Sequence, residues 1–283
     1  MKKFNTILLS TLLCTTLFAK EEEHHSHEGS NNIKINYEIL DFTNSKTKED
    51  GKLYGIEVDH EDKEHHLQLY CEKSQTNTTN VVPKDLEVSK YTLKYQYKVT
   101  PKERVTLLYG TIDDNLIKET NGGDIYGVGY SKNGLGVRQY LSDYPHFDVY
   151  QSDVEYALKR GGIKSSFIGT YIHLDNKDSN DFSKKAKSDY FTAGVKLHTH
   201  YSGIHLGAGA YVGKRIFAVM KDGFKVQHHA MEFKESYMVG VGHNLGENMA
   251  THLQYGYHKA KELPSNNDNV KVNNLTFDFI YRF

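Results

Sequence analysis

Apolar and polar residues alternate with period two along most of this chain, the signature of strands with one apolar and one polar face. The last segment shows it best: Leu275, Phe277, Phe279, Tyr281 and Phe283 alternate with Asn274, Thr276, Asp278, Ile280 and Arg282. Tyr91, Leu93, Tyr95, Tyr97 and Val99 alternate with Lys90, Thr92, Lys94, Gln96 and Lys98, and Ile33, Ile35, Tyr37 and Ile39 with Lys34, Asn36, Glu38 and Leu40. About fourteen such segments start near Asn32, Gly51, His65, Ser89, Arg104, Gly123, Gly134, Asp148, Gly162, Ser188, Gly203, Phe233, Asn248 and Lys271. Their lengths are close to the roughly 9–11 residues of a tilted membrane-crossing strand. Two segments lack a clean register. Val105–Ile112 is apolar on both faces, and between Gly162 and Leu174 the aromatic Phe167 and Tyr171 share a face with His173. Apolar residues at helical spacing are scarce, and no later run is long enough for a spanning helix.

The connections between these segments sort by length. Those at 60–64, 100–103, 131–134, 159–162 and 243–248 are short, whereas those at 74–87, 175–187 and 262–269 are longer and rich in Asn, Asp and Lys. Short turns on one side and long loops on the other are what a membrane barrel has, and a soluble sandwich has no reason to sort its loops that way. The expected fold is therefore all-β: an up-and-down antiparallel transmembrane β-barrel over 32–283. Both ends then fall on the short-turn side, so the strand number is even, with twelve or sixteen open if one segment is split or merged.

The N-terminus adds an export signal. Lys2 and Lys3 precede an apolar run from Ile7 to Phe18 and the small Ala19, which predicts a cleaved signal peptide over 1–19. Leu13, before Cys14, is too large for a lipidation signal, and removal of the leader leaves Cys71 without an intramolecular partner. Residues 20–31 form a His- and Glu-rich segment, expected to be flexible and periplasmic. The composition, with 38% hydrophobic residues, 21 Tyr, 13 Phe, 4 Pro and no Trp, does not suit a thick soluble core. A balance of 35 basic against 36 acidic residues gives no footprint for nucleic acid.

The closing LTFDFIYRF, with Phe283 last, resembles the terminal strand by which bacterial outer-membrane proteins are recognised for insertion. That resemblance makes Phe279, Tyr281 and Phe283 the insertion signal. It implies a Gram-negative outer membrane as the location, with its lipid and the barrel-insertion machinery as partners. In size and strand number the chain looks like the monomeric fourteen-stranded porins. It differs from the fourteen-stranded fatty-acid channels, whose N-terminal plug the residues before Ile33 cannot supply. No functional residue transfers from a likeness of pattern.

A barrel of about eight strands is filled by its own side chains and one of 16–18 encloses a water channel, so fourteen should leave a narrower lumen. Alternation turns inward Lys34, Glu38, Glu57, Lys90, Lys94, Lys98, Arg104, Arg138, Asp153, Glu155, Lys196, Arg215, Lys234, Asp278 and Arg282. These pore-lining charges are too many for a dry interior, unless they form ion pairs across the wall. Their mixed signs predict weak ion selectivity. The expected function is passive diffusion of small hydrophilic solutes or ions, with no cofactor. One loop, 215–232, carries the apolar stretch Ile216–Met220 and the pair His228, His229. It either folds inward as a constriction that histidine charging near about pH 6 could gate, or continues past the membrane as a hairpin, the reading preferred on sequence. His24, His25 and His27, among acidic residues, could hold zinc, nickel or copper. Alternatives are a non-conducting surface or adhesin barrel plugged by inward Tyr and Phe, and a barrel enzyme of lipase or protease type. The enzyme would draw on His173, His205, His252, His258, Ser165 or Asp153, but no nucleophile has a recognisable local context, so catalysis is not expected.

Overall fold

The computed structural model describes residues 29–115, 122–178, 184, 186–220, 225–227, 229–263 and 265–283. In chain order the strands are β1 (Ser30–Thr43), β2 (Lys48–Glu61), β3 (His65–Thr78), β4 (Leu86–Thr100), β5 (Glu103–Asp114), β6 (Gly123–Lys132), β7 (Leu135–Asp143), β8 (Phe147–Arg160), β9 (Ile163–Asn176), β10 (Asp189–Tyr201), β11 (Ile204–Arg215), β12 (Val219–Met220), β13 (Lys225–Val226), β14 (Met231–Asn244), β15 (Met249–Glu262) and β16 (Asn267–Arg282). All but β12 and β13 form one closed antiparallel barrel, and those two make a small hairpin of their own. The wall closes where β1 meets β16, in continuous register from Asn32↔Arg282 to Thr43↔Lys271.

Each of the fourteen wall strands begins within a few residues of its expected start, so the period-two pattern carries the architecture. The strands run to as many as 16 residues, longer than a membrane requires, and they absorb polar sequence expected to be loop. β3 reaches Thr78 and β4 begins at Leu86, well inside the stretch assigned to a loop at 74–87. β1 begins at Ser30, inside the segment assigned to the flexible N-terminus.

At the end bearing both termini the connections are 62–64, 101–102, 133–134, 161–162, 202–203 and 245–248. The pairs Asn133-Gly134, Gly161-Gly162 and Ser202-Gly203 have positive φ at both positions, the type I′ geometry that matches strand twist. In the β2–β3 turn, Asp62 accepts the backbone N–H of His65 at 2.6 Å and of Glu64 at 2.9 Å, and these bonds hold its carboxyl below the ordinary carboxylate range. At the loop end the expected contrast is only partial. Segments 79–85, 115–122, 177–188 and 216–230 are long, but 44–47, 144–146 and 263–266 are as short as turns, because the strands continue into them.

The two faces of the wall are inverted relative to a water-soluble protein. Ile35, Ile56, Leu93, Leu107, Val128, Phe167, Leu206, Val239 and Phe277 are exposed on the outside, while Glu38, Glu57, Lys90, Lys94 and Gln151 are buried within. Aromatic pairs such as Tyr37–Tyr54, Tyr109–Tyr126 and Tyr171–Phe191 stand between neighbouring strands on the same outer face. A lipid surround, and not water, satisfies such a surface.

Candidate functional site

The long connection between β11 and β14 turns into the lumen and does not extend away from the barrel, which corrects the outward hairpin preferred on sequence. Ile216, Phe217, Ala218 and Val219 are all at most 3% exposed. They pack on inward residues of seven neighbouring strands, β4 to β10, including Leu86, Leu108, Ile112, Ile125, Phe147 and Ile172. The Phe217 ring stands 5.0 Å from Phe147 and 5.6 Å from Tyr144. An apolar loop has water on one side and an apolar wall on the other, and burial of its surface favours the wall. The doubled apolar character of Val105–Ile112 has the same cause, since Leu108 and Ile112 face the inserted loop while Val105, Leu107 and Tyr109 face outward.

Directional bonds fix the hairpin at both sides. On one, the Val219 N–H donates to Gln151 Oε1 at 2.8 Å and Gln151 Nε2 donates to the Val219 carbonyl at 2.7 Å. On the other, Lys225 Nζ donates to both oxygens of Glu38, at 2.9 and 3.0 Å, and Glu38 also accepts from Asn274 Nδ2 and Thr276 Oγ1. Gln151 belongs to β8 and Glu38 to β1, which lie seven places apart in either direction around the fourteen-strand wall. The hairpin is therefore a bar across the diameter.

A chain of hydrogen bonds ties the root of this bar to its far anchor. Arg215 Nη2 donates to Ser236 Oγ, Ser236 meets His258 Nδ1 at 2.6 Å, and His258 Nε2 meets Asn274 Oδ1 at 3.1 Å. Since Asn274 gives its amide to Glu38, its Oδ1 must accept, which assigns the proton of neutral His258 to Nε2 and makes Nδ1 the acceptor of the Ser236 hydroxyl. Gly256 makes room for the chain, because a Cβ there would lie 2.0 Å from Asn274 Oδ1. Arg215 also donates Nε to Gln227 and lies over the Tyr211 and Phe233 rings at 5.4 and 5.5 Å.

Beside the bar lies a cavity of about 280 Å³, bounded by Glu38, Glu72, Lys196, Lys225 and His258 together with Leu53, Met220 and Phe233. Its walls come from β14, β15, β16 and β1 to β3 with parts of β10 and β11. The opposite half of the lumen is filled by the apolar cluster around the loop at the loop end of β4 to β10, while Lys94, Lys98, Arg138 and Glu155 line the same strands toward the terminus end.

Of the charges assigned to the lumen, most lie on inward positions and many are paired. Lys34 meets Glu57 at 2.5 Å, Lys90 meets Glu72 at 3.0 Å, Arg138 meets Glu155 at 2.8 Å and Lys98 meets Glu61 at 2.8 Å. Asp278 accepts from Asn36 at 2.6 Å, and Asp153 from Thr170 and Gln151. Lys94, Lys196, Arg104 and Arg282 continue the inward parity of their strands. Lys234 is a correction. A bulge in β14 puts two residues, not one, between inward Phe233 and inward Ser236, and the Lys234 ammonium reaches exposed Asp268 at the rim, 2.5 Å away.

His229 lies against the Phe42 ring at 5.4 Å and meets Thr76 Oγ1 at 3.5 Å, whereas His228 falls outside the described residues. Phe279, Tyr281 and Phe283 follow one another along the outer face, the last two stacked at 6.1 Å. The leader 1–19 and His24, His25 and His27 also lie outside the described residues. Of the residues weighed for catalysis only His205 and His252 are neighbours, and neither a serine nor a carboxylate of the set joins them: His173 faces outward onto Asp189, whereas Asp153 is bound to Thr170 and Gln151 within the lumen. The Ser236–His258 contact is sealed, with Ser236 at 0% exposure and holding the Arg215 bond. Sequence reading missed Gln151, Lys225, Ser236 and Asn274, neutral or loop residues that carry no charge pattern on a strand.

No protein-family model matches the chain, and no curated protein sequence matches it. Among solved structures, the outer membrane protein Omp33 of Acinetobacter baumannii is similar over 90% of this chain and 99% of that one, with TM-score 0.52 and 8% identity. The toluene transporter TbuX of Ralstonia pickettii is similar over 91% and 90%, with TM-score 0.51 and 10% identity. At these identities the likeness is one of fold, the closed barrel of Gram-negative outer-membrane proteins.

Proposed function

We propose that this protein is an outer-membrane channel in which small hydrophilic solutes pass through one half of the lumen, beside a fixed transverse hairpin. The observation that carries this reading is the bar itself. It is welded to the wall on the β4–β9 side and held by ionic and polar bonds on the other, where the cavity of about 280 Å³ borders it. A cavity of that size, with Glu38, Glu72, Lys196, Lys225 and His258 alongside Met220 and Phe233, suits solutes of a few heavy atoms that carry both polar and apolar parts. The terminus end faces the periplasm and the loop end faces outward, as the short turns imply. His229, at the base of the returning loop, is the gate residue of this reading. Half-buried Phe279 with exposed Tyr281 and Phe283 serves insertion into the membrane.

Single-channel recording of the refolded protein in a planar bilayer tests it, with a pH series from about 5 to 8 that brackets histidine titration. Small discrete steps support a restricted channel, and closure that His229→Ala abolishes supports the gate. A folded barrel that never conducts would favour an occluded surface barrel, for which the aromatic packing of Tyr144, Phe147 and Phe217 inside one half of the lumen is the supporting observation.

A further inference from the structure

At the terminus end of the lumen stands a group of imidazoles for which the channel reading has no use. On β10 His198 and His200 share the inward parity of Lys196 and alternate with outward Leu197 and Tyr201. On β11 His205 lies between outward Ile204 and Leu206, and on β15 His252 precedes outward Leu253. The register collects them: His200 is opposite His205, His205 is opposite Gly242 on β14, and Gly242 is opposite His252. Gly242 admits the last ring, since a Cβ there would lie 2.0 Å from His252 Cδ2.

The ring centroids are separated by 4.4 Å for His200–His205, 5.7 Å for His205–His252 and 5.9 Å for His198–His205. With metal–nitrogen bonds of about 2.0–2.1 Å, imidazoles around one tetrahedral ion have centroids roughly 5 Å apart. Among the described residues no three His, Cys, Asp or Glu side chains already share one ion position. Closing these rings on a common point takes side-chain rotation, and His198 and His200 are free to rotate because they are exposed at the mouth. His205 is oriented from behind, with Nε2 at 3.3 Å from Asn244 Oδ1. Donation of that N–H leaves Nδ1 as the free lone pair, the arrangement by which a polar acceptor fixes the tautomer of a metal-binding histidine.

We propose that His198, His200, His205 and His252 form a binding site for a divalent transition-metal ion at the periplasmic mouth, with His205 as its hub and Asn244 as a positioning residue. Imidazoles select zinc, copper or nickel over magnesium and calcium, which need oxygen ligands. The site does not depend on conduction, so it and the channel reading can fail separately.

The test is calorimetric titration of Zn²⁺ into the detergent-solubilised mature chain carrying His24→Ala, His25→Ala and His27→Ala, which removes the competing N-terminal tract. One zinc per chain is expected, with none taken up when Mg²⁺ is titrated instead. His205→Ala should abolish uptake, and Asn244→Ala should weaken it about tenfold. His60→Ala, which removes the histidine beside Asn31 at the same end, should change nothing. Heat-modified electrophoretic mobility verifies that each variant is a folded barrel, and His252→Gln serves if His205→Ala is not. Cu²⁺ bound to the same chain should give an electron paramagnetic resonance spectrum split by ligand nitrogens, lost in His205→Ala. Absence of zinc uptake, or uptake equal in the parent and in a folded His205→Ala or His252→Gln variant, overturns the proposal.

Discussion

The hairpin divides the lumen into halves made of opposite materials. Toward β4–β9 it meets Leu86, Ile112, Phe147, Ile172 and their neighbours in contact too close for water, fixed by shape alone apart from the Gln151 bonds. Toward β14–β3 it is held through bonds of defined direction, from Lys225 to Glu38 and from Arg215 at its root to Ser236, with a cavity left between. Dispersion and burial act without direction and close every gap, whereas hydrogen-bonded groups hold a fixed geometry and tolerate a space beside them. One half is therefore closed by packing, and the other keeps an off-centre cavity inside the fourteen-strand wall.

Removing the divider breaks the comparison outright. A chain in which 218–229 is replaced by a short glycine linker should conduct several-fold more than the parent in planar bilayers, and unchanged current would mean that the bar does not limit flow. Phe217→Ala attacks the seal by excavating its centre. Its expected cost is about 3–5 kcal/mol, read as a lowered temperature for loss of the compact electrophoretic form. Glu38→Gln attacks the polar half and should cost up to about 3 kcal/mol, the low end for a broken buried pair because Lys225 is 33% exposed. In this case Lys225→Met in the same chain should recover much of the loss, which no second change would do for Phe217→Ala. If solutes pass beside the bar as proposed, the cavity there is flanked by both signs of charge, so salt gradients across the bilayer should show only weak selectivity, and a strong preference for either ion would contradict that mixed lining. The smallest effect is at the β2–β3 turn. The depressed carboxyl of Asp62 contributes stability that is present above the unfolded value of about 3.9 and lost as pH falls through the folded value. Asp62→Asn should therefore be slightly less stable than the parent at neutral pH and equal to it in acid.

The wall was legible in the sequence because a strand with lipid on one side and a lumen on the other has to alternate, and Ile33–Leu40 and Leu275–Phe283 do so with one apolar exception each, Leu40 and Ile280. The bar was harder to read. Ile216–Met220 has the same composition whether it extends a strand or turns inward, and only its partners decide. Those partners did leave a trace, in the apolar inward positions Leu108, Ile112, Phe147 and Val149, which an open channel would not need. Lys234 was misplaced because a bulge resets parity and nothing in the local sequence marks it. Gln151 and Asn274 could not have been singled out, since a neutral amide on an inward position reads as ordinary wall until the loop or the neighbouring strand supplies its bonds.

The anchor at Glu38 also has a place in time. Its partners Lys225, Asn274 and Thr276 lie 187, 236 and 238 positions further along the chain. Contacts so remote in sequence are reached late, after the intervening chain has been organised. Asn274 and Thr276 belong to the last strand, so Glu38 gains them only as β1 and β16 zip together. Until then its carboxylate faces an unsealed and wet interior. Closure of the wall and completion of this anchor are thus coupled, and a chain that stalls before its final strand pairs would hold the bar only from its β4–β9 side.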